Sequence, residues 1–240
     1  MIKFFRKIRQ NLLMENKTGK YLRYAIGEIV LVVIGILIAL SINNWNENRK
    51  QKETLNSIYS IVKEDLQVDI VVIDSFIIDY NEVRKPAFET VLRKSLNEND
   101  LNENKNLRSV VLGYKDFTIN QRGFELLKTQ FSLDNTIEQN LTAEISKFYN
   151  LHLTEINLGI DELSDEFKDN LRNLRNQEWF SDFAMNEELT GFNNYILNNS
   201  DARNRITLYY ILFNIYANEL IKFKTEAEKL TKKIDLHLSK

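Results

Sequence analysis

Residues 21–45 read YLRYAIGEIVLVVIGILIALSINNW, and this stretch decides how the rest of the chain is organised. Ile29 to Leu40 is unbroken apolar sequence, and Ala25 to Ile42 is interrupted only by Glu28 and Ser41. As a helix rising about 1.5 Å per residue it would extend roughly 37 Å, enough to cross about 30 Å of hydrocarbon. Tyr21 and Tyr24 at one end and Trp45 at the other hold the positions expected of aromatic interface anchors. The sequence therefore predicts a transmembrane anchor over residues 19–45.

Charge gives this anchor a direction. Lys3, Arg6, Lys7, Arg9, Lys17, Lys20 and Arg23 precede the apolar run against the single acid Glu15. Arg49, Lys50 and Lys52 follow it, partly balanced by Glu47 and Glu53. That bias favours a cytoplasmic N-terminus, with residues 46–240 outside the inner membrane, in the periplasm. A cleaved signal peptide is the rival reading, with Ala39-Leu40-Ser41 as the small residues before the cut. A basic leader reaching to Tyr24, far longer than such peptides carry, and Glu28 within the apolar part both favour an uncleaved anchor.

Upstream, residues 2–14 (IKFFRKIRQNLLM) place Ile2, Phe5, Ile8 and Leu12 at helical spacing beside Lys3, Arg6, Lys7 and Arg9. This predicts a basic amphipathic helix within residues 1–18, suited to the inner-leaflet surface, with a cytoplasmic docking peptide as the alternative. Inside the apolar run, Glu28, Gly35, Ala39 and Ile42 fall on one helical stripe. Gly35 and Ala39 form a small-residue pair that lets a second helix approach closely. Glu28 is costly facing lipid. It reads as a carboxylate at the headgroup boundary, as part of a self-associating packing surface, or as a proton carrier.

Composition points the same way. Seven glycines and one proline in 240 residues leave few tight turns, which starves a β-rich fold and suits long helices. Seven of the 32 basic and three of the 34 acidic residues lie in 1–47, so the remainder carries 25 and 31, a net charge of −6. An acidic domain argues against nucleic acid as a ligand. Cysteine is absent, which excludes disulfides and thiolate metal sites.

Downstream, Leu55, Tyr59, Val62, Leu66, Ile70, Ile73, Ile77 and Tyr80 step by three or four and predict that the helix runs on. Residues 68–78 (VDIVVIDSFII) are β-branched, yet their flanks hold the helical period, and burial on more than one face is expected. Pro86 is placed to kink this helix before an end near Ser95, and NENDLNENKN (97–106) reads as a solvated loop. Short helices are expected over 107–114, 120–130 and 187–197. Leu141, Ile145, Phe148, His152, Ile156, Ile160, Leu163, Phe167, Leu171 and Leu174 make a second long stripe. Ile206 through Ile234 make a third, with Ser200-Asp201 as its N-cap. Stripes near 46–95, 137–178 and 201–237 call for an all-α fold in which the anchor continues into an antiparallel bundle.

The run Y24-A-I-G-E-I-V-L-V-V-I-G-I-L-I-A-L-S-I-N-N-W-N46, preceded by F4-F-R-K-I-R-Q-N-L-L, resembles the opening of an uncharacterised domain-of-unknown-function family from Gram-negative bacteria. A second likeness follows at N120-Q-R-G-F-E-L-L-K-T-Q, although Gln130-Phe131 departs from the small-residue–Gly ending of that family's helix. The resemblance implies an inner-membrane anchor followed by periplasmic helices. It implies no catalytic residue.

Reactive chemistry has little to draw on. His152 and His237 are the only histidines, and His152 sits on the core stripe between Phe148 and Ile156. His152 and Glu155 could both reach a metal, but two ligands from one helix do not make a site. Glu64-Asp65, Asp161-Glu162, Asp165-Glu166 and Glu187-Glu188 read as solvated faces. Tyr209, Tyr210, Tyr216 and Trp179 fit core packing better than a ligand pocket. No nucleophile motif, zinc-helix motif or phosphate loop is present. No cofactor and no enzymatic activity are expected. The partners expected are the lipid bilayer and a second copy or another envelope protein. A structural or interaction protein of the cell envelope is the leading class. A periplasmic ligand sensor and a subunit of an ion-driven envelope machine using Glu28 are the alternatives.

Overall fold

A chain this poor in glycine and proline is expected to fold as long helices, and it does. The computed structural model describes residues 18–130, 139–185 and 188–239, apart from the side chains of Thr18, Lys20, Tyr21 and Gln139. The amphipathic segment expected within 1–18 lies outside the described residues, Thr18 excepted. All regular structure among the described residues is helical. Helix α1 runs Thr18–Asp79. The chain divides into two compact units, Met1–Asn56 and Ser57–Lys240.

Within the second unit, α1 is followed by a π-helical turn, Tyr80–Arg84, and by α2, Lys85–Val91. The wide turn precedes Pro86, which has no N–H to continue an α-helical ladder. Helix α2 stops at Val91, short of the end expected near Ser95.

The segment 97–106 corrects the loop expected there: Glu98–Glu103 forms α3. The Asn97 side chain accepts from Asp100 N and the Asp100 side chain from Asn97 N, each at 3.0 Å, a reciprocal capping box. Leu101 supplies the buried anchor that a polar reading of NENDLNENKN overlooks. The helix expected over 107–114 is only a 3-10 turn, Leu107–Val110, because Gly113 turns the chain at φ 83°. Helix α4, Arg122–Gln130, begins two residues later than expected, since Asn120 is engaged elsewhere.

Helix α5 spans Gln139–Leu174 and α8 Ser200–Leu238, joined through α6, Phe180–Ala184, and α7, Thr190–Asn198. The N-cap of α8 is Asn199, whose side chain accepts from Asp201 N and Ala202 N, and not Ser200-Asp201. Lys222–Glu155 at 2.8 Å and Arg205–Asp169 at 2.7 Å set α8 antiparallel to α5. Tyr80 Oη donating to Asn214 at 2.7 Å, with Lys63–Asp235, sets α8 antiparallel to the Ser57–Asp79 part of α1. Such exposed pairs contribute at most about 1 kcal/mol each, so they mark register more than they hold the fold.

The core is aromatic. Phe76 and Phe213 stack at 5.8 Å, Phe124 and Tyr149 at 4.6 Å, and Phe148 meets Phe223 at 5.0 Å. Residues 68–78 are helical as expected but are not buried on more than one face. Ile73 and Phe76 are buried, while Val68, Val71, Val72 and Ile78 are exposed. The packing partners approach one side of α1 only, and no described residue covers the opposite side.

Candidate functional site

Two features of α1 carry the functional questions, one in each unit. In the first unit, the apolar window of the helix has a mean hydropathy of 2.8 and none of it is buried. By length and composition it is able to cross a membrane. Gly35 and Ala39 stand on its open surface, and a Cβ added at Gly35 would meet nothing within 4 Å. Glu28 is half-buried on the same helix. Tyr24 and Trp45 are exposed, and the Arg49 guanidinium lies 5.6 Å from the Trp45 ring centre. The Tyr21 side chain lies outside the described residues.

The second feature is an acidic latch within the bundle. Asp65 and Asp69 are one turn apart on α1 and are 1% and 0% exposed. Asp65, read from sequence as part of a solvated pair, is thus a core residue, whereas Glu64 is the solvated one. The reason is its position three residues after Val62, on the flank of the apolar stripe, together with a cation supplied from outside the helix. Arg122 Nε donates to Asp65 Oδ1 at 2.9 Å, and the backbone N–H of Gly123 donates to Asp65 Oδ2 at 2.8 Å. Asp69 accepts from Asn120 twice, from the backbone N–H at 3.1 Å and from Nδ2 at 2.6 Å.

Gly123 makes this approach possible. A Cβ there would sit 2.5 Å from Val62 N and 2.8 Å from Val62 Cα, so only glycine lets α4 rest on the α1 backbone. Beside the latch, Tyr149 of α5 is fully buried, and its hydroxyl has no hydrogen-bond partner among the described residues. Burial first, then the charges of Asp65 and Asp69, push the Tyr149 phenol above its ordinary range. Burial is also the main reason that the Asp69 carboxyl rises from 3.8 to about 7, with Asn120 opposing and Asp65 adding to the rise.

Residues 28–143 match a family model described as a family of unknown function, DUF6090. The matched stretch is just under half of the chain and includes the unbroken apolar run Ile29–Leu40 and both sides of the latch. An uncharacterised domain family is thereby supported. No curated protein and no solved structure matches the chain.

Other residues singled out from sequence are engaged in packing. His152 is fully buried, its Nε2 is 2.9 Å from Glu226 Oε2, and its ring lies against Phe148 and Phe223. Glu155 turns to Lys222, whose hydrogen bond holds its carboxyl below the ordinary range. Tyr209 and Tyr216 are core residues, Tyr210 stacks on Phe88, and Trp179 packs on Phe183 and Phe192. A shallow cleft lies between Asn170, Asn173, Phe192, Tyr195 and Arg205. Its guanidinium is committed to Asp201 at 2.8 Å and Asp169 at 2.7 Å.

Asp69 and Asn120 escaped sequence reasoning. A signal was present. Val62, Leu66, Asp69, Ile73 and Phe76 step by 4, 3, 4 and 3, which places an acid where a core side chain belongs.

Proposed function

We propose that this chain is a single-pass membrane protein whose helical bundle acts as a structural or protein-interaction component of the cell envelope. Residues 19–45 form the anchor, the N-terminus is cytoplasmic, and residues 46–240 fold in the periplasm. Copies associate through the stripe bearing Glu28, Gly35 and Ala39. The observation that carries this reading is the wholly unburied apolar window at one end of α1. In water such a surface would drive aggregation, whereas in lipid it needs no partner. The excess of basic residues before the window supports the orientation. A binding role fits better than a catalytic one because the chemistry-bearing side chains of the bundle are spent on one another. His152 is held by Glu226, Glu155 by Lys222, and Asp65 by Arg122.

Alkaline phosphatase fused after Lys240 tests the topology, with membranes washed at high pH to remove peripheral proteins. Active fusion protein retained in the washed membranes is expected. An inactive fusion would overturn the orientation, and release of the intact chain by the wash would overturn the anchor.

A further inference from the structure

Asp65 and Asp69 are both buried on α1 and both hold the segment 120–123, but they are unequally provided for. Asp65 has a cation, Arg122, and a backbone donor. Asp69 has, among the described residues, only the amide groups of Asn120. Among the described residues, the other charged groups beside the pair are engaged elsewhere. On α1, Glu64 is solvated and lies 3.7 Å from Arg122. On the α4 side, Arg122 is committed to Asp65 and Glu64. From α5, Tyr149 contributes a neutral phenol. On α8, Lys224 is turned to Asp74 and Lys63 of α1 holds Asp235. Asp69 therefore ionises beside a second buried carboxylate with no counter-ion of its own among the described residues, a state that both burial and like charge oppose.

We propose that Asp69 is a proton-operated latch: protonated, it holds the segment 115–130 against α1, and on losing its proton it loosens that segment while the rest of the bundle stays folded. The protonated carboxyl keeps its carbonyl oxygen as acceptor for Asn120 and carries no charge into the core. Deprotonation leaves an uncompensated charge in the core. Opening of α4 relieves it, because the carboxylate then meets water. The direction follows from linkage. Closed, Asp69 titrates at about 7; open, it returns to about 3.8. The closed form thus binds the extra proton between those values. Its advantage is complete below about pH 4, falls as pH rises, and is exhausted above about pH 7.

The absence of cysteine allows a clean test on the full chain in detergent micelles. Leu127→Cys places a buried thiol on α4, and Ile206→Cys places one on α8 as a control. Labelling rates corrected for thiol ionisation then report opening at each site. For Leu127→Cys, raising pH from about 6 to about 8.5 should accelerate labelling about tenfold, the ratio of closed and open proton affinities over that range. Ile206→Cys should not change, and adding Asp69→Asn to Leu127→Cys should abolish the pH dependence. Equal acceleration at both sites, or a tenfold effect that survives Asp69→Asn, would overturn the latch. If the cysteine variants fail to fold, the Asp69 carboxyl carbon of the unmodified chain can be titrated by NMR. A midpoint near 7 is expected, and one below about 5 would refute the proposal. It does not depend on the membrane reading.

Discussion

Gly123→Ala is the smallest change that should open the contact between α4 and α1. An added Cβ would lie 2.5 Å from Val62 N, 2.6 Å from Val62 Cγ2 and 2.8 Å from Val62 Cα. Two of those atoms are backbone in the middle of a long helix, so α4 must move rather than Val62. Overpacking of this kind costs roughly 1–3 kcal/mol. Retreat of α4 also lengthens the 2.8 Å bond from Gly123 N to Asp65, and an under-satisfied buried acceptor costs about 1–3 kcal/mol more. The better helix propensity of alanine returns at most about 1 kcal/mol. The net expectation is a loss of about 2–4 kcal/mol. Gly159→Ala is the comparison, because the one tight approach of its Cβ would be to the Tyr216 ring, at 3.2 Å, with Tyr216 Cβ and Cα at ordinary distances of 3.9 and 4.0 Å, and a ring edge can shift. That change should stay within about 1 kcal/mol of the parent. Urea unfolding of the full chain in micelles, followed by far-ultraviolet circular dichroism, measures both. If Gly123→Ala proves as harmless as Gly159→Ala, the close approach at Val62 is not what fixes α4.

Two further substitutions probe other parts of the chain. Arg84→Lys should cost about 2–3 kcal/mol in the same assay, because Arg84 donates to Asp79 at 2.8 Å and to Gly113 O at 2.6 Å while lying 5.3 Å from the Phe213 ring, a fork that an ammonium cannot reproduce. A loss below about 0.5 kcal/mol would show that the π-helical turn does not serve to aim this guanidinium. In native membranes, Gly35→Ile should weaken chemical crosslinking between copies more than Val33→Ile, which adds bulk off the Glu28–Gly35–Ala39 stripe. Identical, strictly monomeric patterns in the parent and Gly35→Ile would remove self-association through that stripe.

Long-range order was legible from sequence wherever one chemistry dominated a whole element. The apolar window, the three long stripes and the core position of His152 all follow from side chains that repeat at a helical period. What escaped was decided by single contacts. The capping box of Asn97 and Asp100 turns a polar stretch into α3, and only the burial of Leu101 makes that turn worth forming. The apolar run 68–78 misled in the opposite sense, since hydrophobicity alone does not say that a partner exists for each face. Asp65 was misplaced because its cation lies 57 positions along the chain, at Arg122. No local pattern encodes such a pairing.

The latch also bears on what the bundle is built for. Replacing a buried ionic group by a well-packed apolar one is often neutral or stabilising, so stability alone gives no reason for an acid at position 69. Leucine would extend the stripe from Leu66 to Ile73 and would demand no partner from Asn120. Asp69 instead ties a loop backbone to the helix through the two donors of one residue, and it does so beside a second acid that already has the available cation. Where one of two adjacent buried carboxylates holds the guanidinium, the other, left with amides alone, is the one that responds to pH. The cost of that arrangement falls on α4, the element held closest to α1 and attached at Gly123 by contacts that any side chain would break. Sensitivity to protons and dependence on glycine are thus two consequences of the same close approach.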